Sequence, residues 1–207
     1  MSWKNLIGWF NYRNWYDTIL AEAPHGATLV EIGSAFGRST AYLARRALDT
    51  KRHDLRLVAV DPFEWRVALG DPTCDTYRRS LGGERGGPFN VMLRGMTLHC
   101  PEELERLTLL RLPSVEAARI FDKVHFAMID ADHAFGPCRE DILAWSPKAT
   151  ILSGHDYDLE GVQRACLEVL GAKDVAFHVR PAESPDDGDF LPKDAAKTGA
   201  GAVWVRA

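Results

Sequence analysis

Leu29-Val30-Glu31-Ile32-Gly33-Ser34-Ala35-Phe36-Gly37-Arg38-Ser39-Thr40 is the stretch whose reading decides the fold. A short apolar run passes an acid, makes a turn punctuated by two glycines and enters a helix at Ser39-Thr40. This is the pattern of a buried strand feeding a tight loop at a helix N-terminus, where backbone N–H groups face a small polar ligand. Glycine is needed where backbone must approach a ligand or take φ > 0, because a Cβ clashes there. The spacing is G-x-x-x-G, not the G-x-G-x-x-G of a dinucleotide site. A pyrophosphate needs backbone wrapped closely around it, so a loop with two glycines better suits an amino-acid tail joined to a nucleoside. The competing reading is a plain strand–turn–helix junction.

Downstream, Tyr42, Leu43 and Leu48 with Arg45 and Arg46 suit an amphipathic helix. Residues 55–61 then form a second strand closing on Asp61, which lies 24 residues after Gly37. An acid at that tip accepts both ribose hydroxyls of a bound nucleoside; the alternative is an N-cap or loop acid. Pro62-Phe63-Glu64-Trp65 follows and brings aromatics toward the base. Upstream, Tyr12, Trp15, Tyr16, Ile19, Leu20 and Ala23 recur at helical spacing over 9–23, and Pro24-His25-Gly26 ends that helix. Such a stripe reads as core packing. A homo-oligomer contact is the alternative, and it suits Trp3 and Trp9 best.

Residues 66–107 are the least regular part, punctuated by Asp71-Pro72, Gly82-Gly83 and Gly86-Gly87-Pro88. They read as an insertion over the strand ends, a candidate lid with glycine hinges, or else a surface excursion. Strands follow at 108–112, 123–130 and 149–154, separated by a helix opening at Pro113-Ser114, with Ser114 as its N-cap, and a helix carrying Cys138, Ile142, Leu143 and Trp145. A further amphipathic helix spans 161–170, and 174–180 and 202–206 read as two last strands around a polar loop. The alternation predicts an α/β fold: a doubly wound, mostly parallel seven-stranded sheet, covered on both faces, with an antiparallel C-terminal strand. Residues 1–207 read as one domain, with 1–26 as an N-terminal helical extension.

Composition agrees with one globular domain: 207 residues, 46% hydrophobic and 26% charged. A net charge of −4 without a Lys/Arg block speaks against nucleic-acid binding. There is no apolar run of membrane-spanning length and no signal-peptide core at the N-terminus, which predicts a cytoplasmic protein without a membrane partner. The four cysteines, Cys74, Cys100, Cys138 and Cys166, form no C-x-x-C and read as reduced core residues.

Polar residues collect at the predicted strand ends: Glu31, Asp61, Asp130, Asp132, His133, His155 and Asp156. Ile129-Asp130-Ala131-Asp132-His133 and, one strand later, Gly154-His155-Asp156-Tyr157 put oxygen and imidazole donors on neighbouring tips. That set suits one divalent cation, Mg²⁺ or Mn²⁺, and remains compatible with zinc.

Taken in order, these motifs, together with Ser114-Val115-Glu116-Ala117-Ala118 after the third strand, resemble one family over residues 9–170. It is the small class I S-adenosylmethionine-dependent methyltransferases (methyltransferase family 24-like), related to metal-dependent sugar O-methyltransferases and more distantly to catechol-type enzymes. The resemblance implies a Rossmann-like fold with S-adenosylmethionine as cofactor. It puts Gly33, Ser34, Phe36 and Gly37 against the methionine part, with Glu31 supporting the loop or the ammonium and Ser39 and Thr40 near the carboxylate. Asp61 takes the ribose hydroxyls, with Pro62, Phe63, Ser114 and Val115 around the adenine and Asp130 at the cofactor's edge. Pro113 stands where many relatives have an acid touching the adenine. The resemblance also implies a metal held by Asp130, His155 and Asp156, with histidine where the sugar enzymes have an acid. His133 matches the base of some members and Asp132 that of others; His133 is preferred because its ordinary pKa lies near neutrality.

The implied function is methyl transfer to a hydroxyl of a small molecule, a sugar-like compound or natural-product intermediate, with divalent-metal assistance. Two alternatives stand beside it: the same transfer without a metal, and a methyltransferase-like domain that binds the cofactor or a partner without transfer.

Overall fold

The computed structural model describes residues 2–8, 10–64, 87–171, 177–180 and 203–206. Strands β1 (Thr28–Ile32), β2 (Arg56–Val60), β3 (Leu107–Leu110), β4 (Val124–Ile129), β5 (Ala149–Gly154), β6 (Phe177–Arg180) and β7 (Val203–Arg206) form one sheet, ordered β3-β2-β1-β4-β5-β7-β6. β1 to β5 are parallel, and β7 is antiparallel to both β5 and β6. This is the expected mostly parallel sheet with an antiparallel C-terminal strand. The helices are α1 (Arg13–Glu22), α2 (Arg38–Asp49), α3 (Gly87–His99), α4 (Pro101–Glu105), α5 (Ser114–Ala118), α6 (Phe135–Trp145) and α7 (Glu160–Val169). Among the described residues no helix is long and apolar enough to cross a membrane.

Successive strand side chains point to opposite faces, and the sequence fills both with apolar groups. Val30, Ile32, Val58, Val60, Ala127 and Ile129 pack with Ile142, Trp145, Val162 and Cys166 of α6 and α7. Leu29, Leu57, Phe126 and Met128 pack on the other face with Tyr16, Ile19 and Leu20 of α1 and Leu43 of α2. The aromatic stripe is therefore used inside the chain. Trp3 packs edge-on against Phe10 and Tyr42, and Trp9 lies outside the described residues. α1 begins at Arg13, later than expected, after the buried residues Phe10, Asn11 and Tyr12. It ends at Glu22, and the C-cap Ala23 has the extended ψ of 128° that the following Pro24 demands.

Three local expectations shift. β3 stops at Leu110 rather than 112, because the Leu112 N–H turns back onto the Leu110 carbonyl. Ser114 does not cap α5: Pro113 occupies the N-cap position, and the Ser114 hydroxyl accepts a hydrogen bond from Trp145 Nε1 at 2.9 Å. Of the stretch 66–107, the glycine-punctuated part up to 86 lies outside the described residues, as do Trp65, Cys74, 174–176 and 181–201. α3 packs its Met92 and Met96 with Ala41 and Phe63.

The register brings the strand ends level. Ile32 pairs with both Val60 and Ile129, and Ile129 pairs with Gly154. Strand order reverses between β1 and β4, so the crevice of an open α/β sheet lies between their carboxyl ends.

Candidate active site

On the β1–β2 side of the crevice, the glycine loop is built as its spacing demands. Gly33 has φ +92°, and a Cβ there would lie 1.9 Å from the Asp130 carbonyl oxygen. Gly37 has φ +83° and opens α2; a Cβ would come within 3.0 Å of Met96 Sδ and 3.1 Å of Met92 Cγ. Glu31 is buried beneath the loop. Its carboxylate accepts hydrogen bonds from the Tyr16 hydroxyl at 2.8 Å, from Thr40 and from Ser39. Burial raises its pKa, and those three donors oppose the rise. Glu31 thus ties the loop to the first turn of α2.

Asp61 sits past the end of β2. Its Oδ2 accepts the Ala35 N–H at 2.8 Å and its Oδ1 the Phe63 N–H at 2.6 Å. Burial raises this carboxyl as well, against those two N–H groups. The Ser34 hydroxyl is buried in the loop and has no hydrogen-bond partner among the described residues, a kind of unmet polar group that a ligand satisfies. Phe36 and Phe63 are buried, while Pro62, Ser114 and Val115 are half-buried along the same edge. A loop with two left-handed glycines, an unsatisfied hydroxyl and a second-strand acid fits an amino-acid nucleoside.

On the β4–β5 side, Asp130, His133, His155 and Asp156 converge. His133 Nε2 lies 2.9 Å from Asp156 Oδ2 and 4.0 Å from Asp130 Oδ1. His155 Nδ1 lies 3.0 Å and 3.7 Å from the same two oxygens. Two imidazole nitrogens and two carboxylate oxygens therefore alternate around one point. Burial works against charge on both histidines, but the carboxylates outweigh it and hold each at about 10. Burial also opposes ionisation of Asp130 and Asp156, and the imidazoles overcome it, holding both below the usual carboxylate range. Ligand atoms of Asp130, His133 and Asp156 all lie within 4.8 Å of one another. Mixed carboxylate and imidazole donors of this kind fit a divalent cation.

Exposure separates the two histidines. The His155 side chain is 1% exposed, whereas 36% of that of His133 remains open. Asp132 stays apart from the cluster: it is exposed, and its Oδ1 accepts the Ala134 N–H at 2.8 Å ahead of α6. The structure thus gathers Asp130, His133, His155 and Asp156 and leaves Asp132 at a turn.

A layer of residues behind the site went unread in the sequence. Tyr12 donates to Asp130, Asn11 meets His155, Trp15 Nε1 donates to Ser153 Oγ at 3.1 Å, and Tyr16 donates to Glu31. Their partners are up to 144 residues away. The one available signal was an Asn and two Tyr within a stripe that packing alone would fill with Leu and Phe.

The sequence matches methyltransferase family 24, described as a methyltransferase domain, over residues 30–157, more than half of the chain. No curated protein matches it. Among solved structures the chain is similar to the O-methyltransferase NovP at 14% identity, covering 94% of this chain and 77% of that one, with a TM-score of 0.64. It is similar to CalS11, a calicheamicin methyltransferase, at 18% identity over 92% of this chain and 76% of that one, with a TM-score of 0.58. Precorrin-6y C5,15-methyltransferase from Geobacter metallireducens GS-15 matches at 10% identity, 94% and 86% coverage, and a TM-score of 0.60. At these identities the likeness is one of fold.

Proposed function

The chain belongs to the methyltransferase-domain family, and we propose that this S-adenosylmethionine-dependent methyltransferase is an O-methyltransferase of a small hydroxylated acceptor, sugar-like or a natural-product intermediate, assisted by a divalent cation. The observation that carries the reading is the meeting of Asp130, His133, His155 and Asp156 at the strand tips facing the glycine loop. NovP and CalS11, the latter also described as a TDP-rhamnose 3'-O-methyltransferase, support the acceptor class by analogy of fold alone.

When bound, S-adenosylmethionine supplies an electrophilic sulfonium methyl, and the cation lowers the pKa of the acceptor hydroxyl. The loop from Gly33 to Gly37, with Ser34, would hold the methionine part, and Asp61 the ribose. Asp130, Asp156 and the buried His155 would hold the cation. His133 is the member of the cluster open to an acceptor; its Nε2 is buried against Asp156, so its Nδ1 takes the hydroxyl proton. With both carboxylates neutralised, His133 loses the attraction that holds its own proton, and its pKa falls toward the ordinary 6.5. Asp156 orients the ring.

Calorimetric titration of S-adenosylmethionine, with Mn²⁺ and again after EDTA, tests the reading. Binding is expected in both conditions, with cation-dependent methyl transfer to sugars or phenols. Absence of cofactor binding would sink the reading. A metal-independent transfer is the second reading, and the 2.9 Å His133–Asp156 contact supports it as a base–orienter pair. It predicts activity unchanged by EDTA and, because the carboxylates hold His133 at about 10, rising toward alkaline pH.

A further inference from the structure

Asn11 and Tyr12, adjacent in the chain just ahead of α1, are buried and reach the tips of β5 and β4. The Tyr12 hydroxyl donates to Asp130 Oδ2 at 2.8 Å, and Asn11 Oδ1 lies 2.7 Å from His155 Nε2. The Tyr12 ring also lies against the His155 imidazole, with centroids 4.9 Å apart. We propose that Asn11 and Tyr12 are positioning residues that select which atoms of Asp130 and His155 face the cation. The inference rests on the metal-assisted reading above.

Each of the two ligands has a choice of donor atoms. Tyr12 takes Oδ2 of Asp130, so the oxygen turned toward His133 and His155, at 4.0 and 3.7 Å, is Oδ1. An amide oxygen only accepts, so His155 donates to Asn11 through Nε2, and Nδ1 is the nitrogen that faces Asp130 and Asp156. The Asn11 amide nitrogen has no hydrogen-bond partner among the described residues, and its oxygen is the end that meets His155. An imidazole ligand whose other N–H is anchored keeps its tautomer and ring orientation. Phe at 12 and Leu at 11 would serve packing equally well, and neither could select an atom.

The test measures Mn²⁺ affinity by electron paramagnetic resonance on the metal-free wild type, Tyr12→Phe, Asn11→Leu and Asn11→Asp, with S-adenosylmethionine affinity measured in parallel. Tyr12→Phe and Asn11→Leu are expected to weaken Mn²⁺ binding roughly 10-fold or more. Asn11→Asp, which keeps an acceptor toward Nε2, is expected to stay near wild type, and cofactor affinity to hold in all three. Tyr12→Phe keeps the ring in place and remains informative if Asn11→Leu does not fold. Unchanged Mn²⁺ affinity in Tyr12→Phe and Asn11→Leu overturns the positioning role and leaves the metal site standing. An equal loss of cofactor affinity overturns it in favour of general packing. A wild type that binds no Mn²⁺ removes the metal reading and the inference with it.

Discussion

At the scale of single residues, the proposed base, His133, is the wrong acid–base species while Asp130 and Asp156 carry no cation. His133 is held at about 10 by Asp130 and Asp156 against the cost of burial, so at neutral pH in the metal-free protein it carries a proton and cannot accept another. Replacing it with Gln should lower the rate of methyl transfer by roughly 100-fold or more while cofactor affinity holds. A loss confined to cofactor affinity would reassign the residue to structure. The cluster also links stability to pH. The raised histidines stabilise the fold fully below 6.5, and that contribution is lost as pH rises through about 10. The depressed aspartates contribute above 3.8, and their part is lost as pH falls below it. Metal-free protein should therefore melt highest between about 4 and 6.5 and lose stability progressively from there to about 10, and thermal melts across pH should show both shoulders. Asp130→Asn with Asp156→Asn should flatten the alkaline one, since the histidines then lose what raises them.

At the scale of elements, α6 is joined to α5 through a buried carboxyl. Asp141 is pushed up to about 6 by burial, against a hydrogen bond from Ser114, with Asp132 and Glu140 adding repulsion. A raised carboxyl costs stability as pH climbs from 3.8 through about 6. Asp141→Asn keeps an acceptor for Ser114 and removes the charge. It should raise stability by roughly 1–3 kcal/mol at pH 8 and by little at pH 4, which denaturant melts at the two pH values will read. Equal effects at both would mean that the group ionises freely. The central strands were legible in the sequence because β1, β2 and β4 are apolar runs buried on both faces with an acid at or beside the tip, Glu31, Asp61 and Asp130. The Asp130/His133 and His155/Asp156 pairs were legible for the same reason, since a strand's end fixes where its next residue sits. The Asn11, Tyr12 and Tyr16 hydrogen bonds were not. A tyrosine in an apolar stripe satisfies the helical pattern whether or not its hydroxyl finds a partner, and these partners lie on strands far along the chain. Ser114 misled for a related reason: a serine before a helix fits a cap, but Trp145 claims its oxygen.

At the scale of the molecule, the reversal of strand order divides the crevice into two halves. The β1–β2 half carries the glycine loop and Asp61; the β4–β5 half carries the four-residue cluster. The two halves stand on different strand pairs, so their functions should separate. Asp61→Ala should weaken S-adenosylmethionine binding and leave Mn²⁺ affinity alone, and Asp156→Ala should do the reverse. One position breaks that independence. Gly33 stands where the loop from β1 crosses the end of β4, and a methyl group there would sit 1.9 Å from the Asp130 carbonyl oxygen and 2.8 Å from Ala131 Cα. Both contacts are with backbone, so a side-chain rotation cannot relieve them, and φ +92° adds strain for any residue with a Cβ. Relief requires the loop and the β4 tip to part, which moves the methionine pocket and Asp130 together. Gly33→Ala should therefore lose affinity for the cofactor and for Mn²⁺ at once, where Asp61→Ala and Asp156→Ala each lose one. A Gly33→Ala protein that is folded by circular dichroism and still binds Mn²⁺ like the wild type would show that the two halves are not mechanically joined at this glycine.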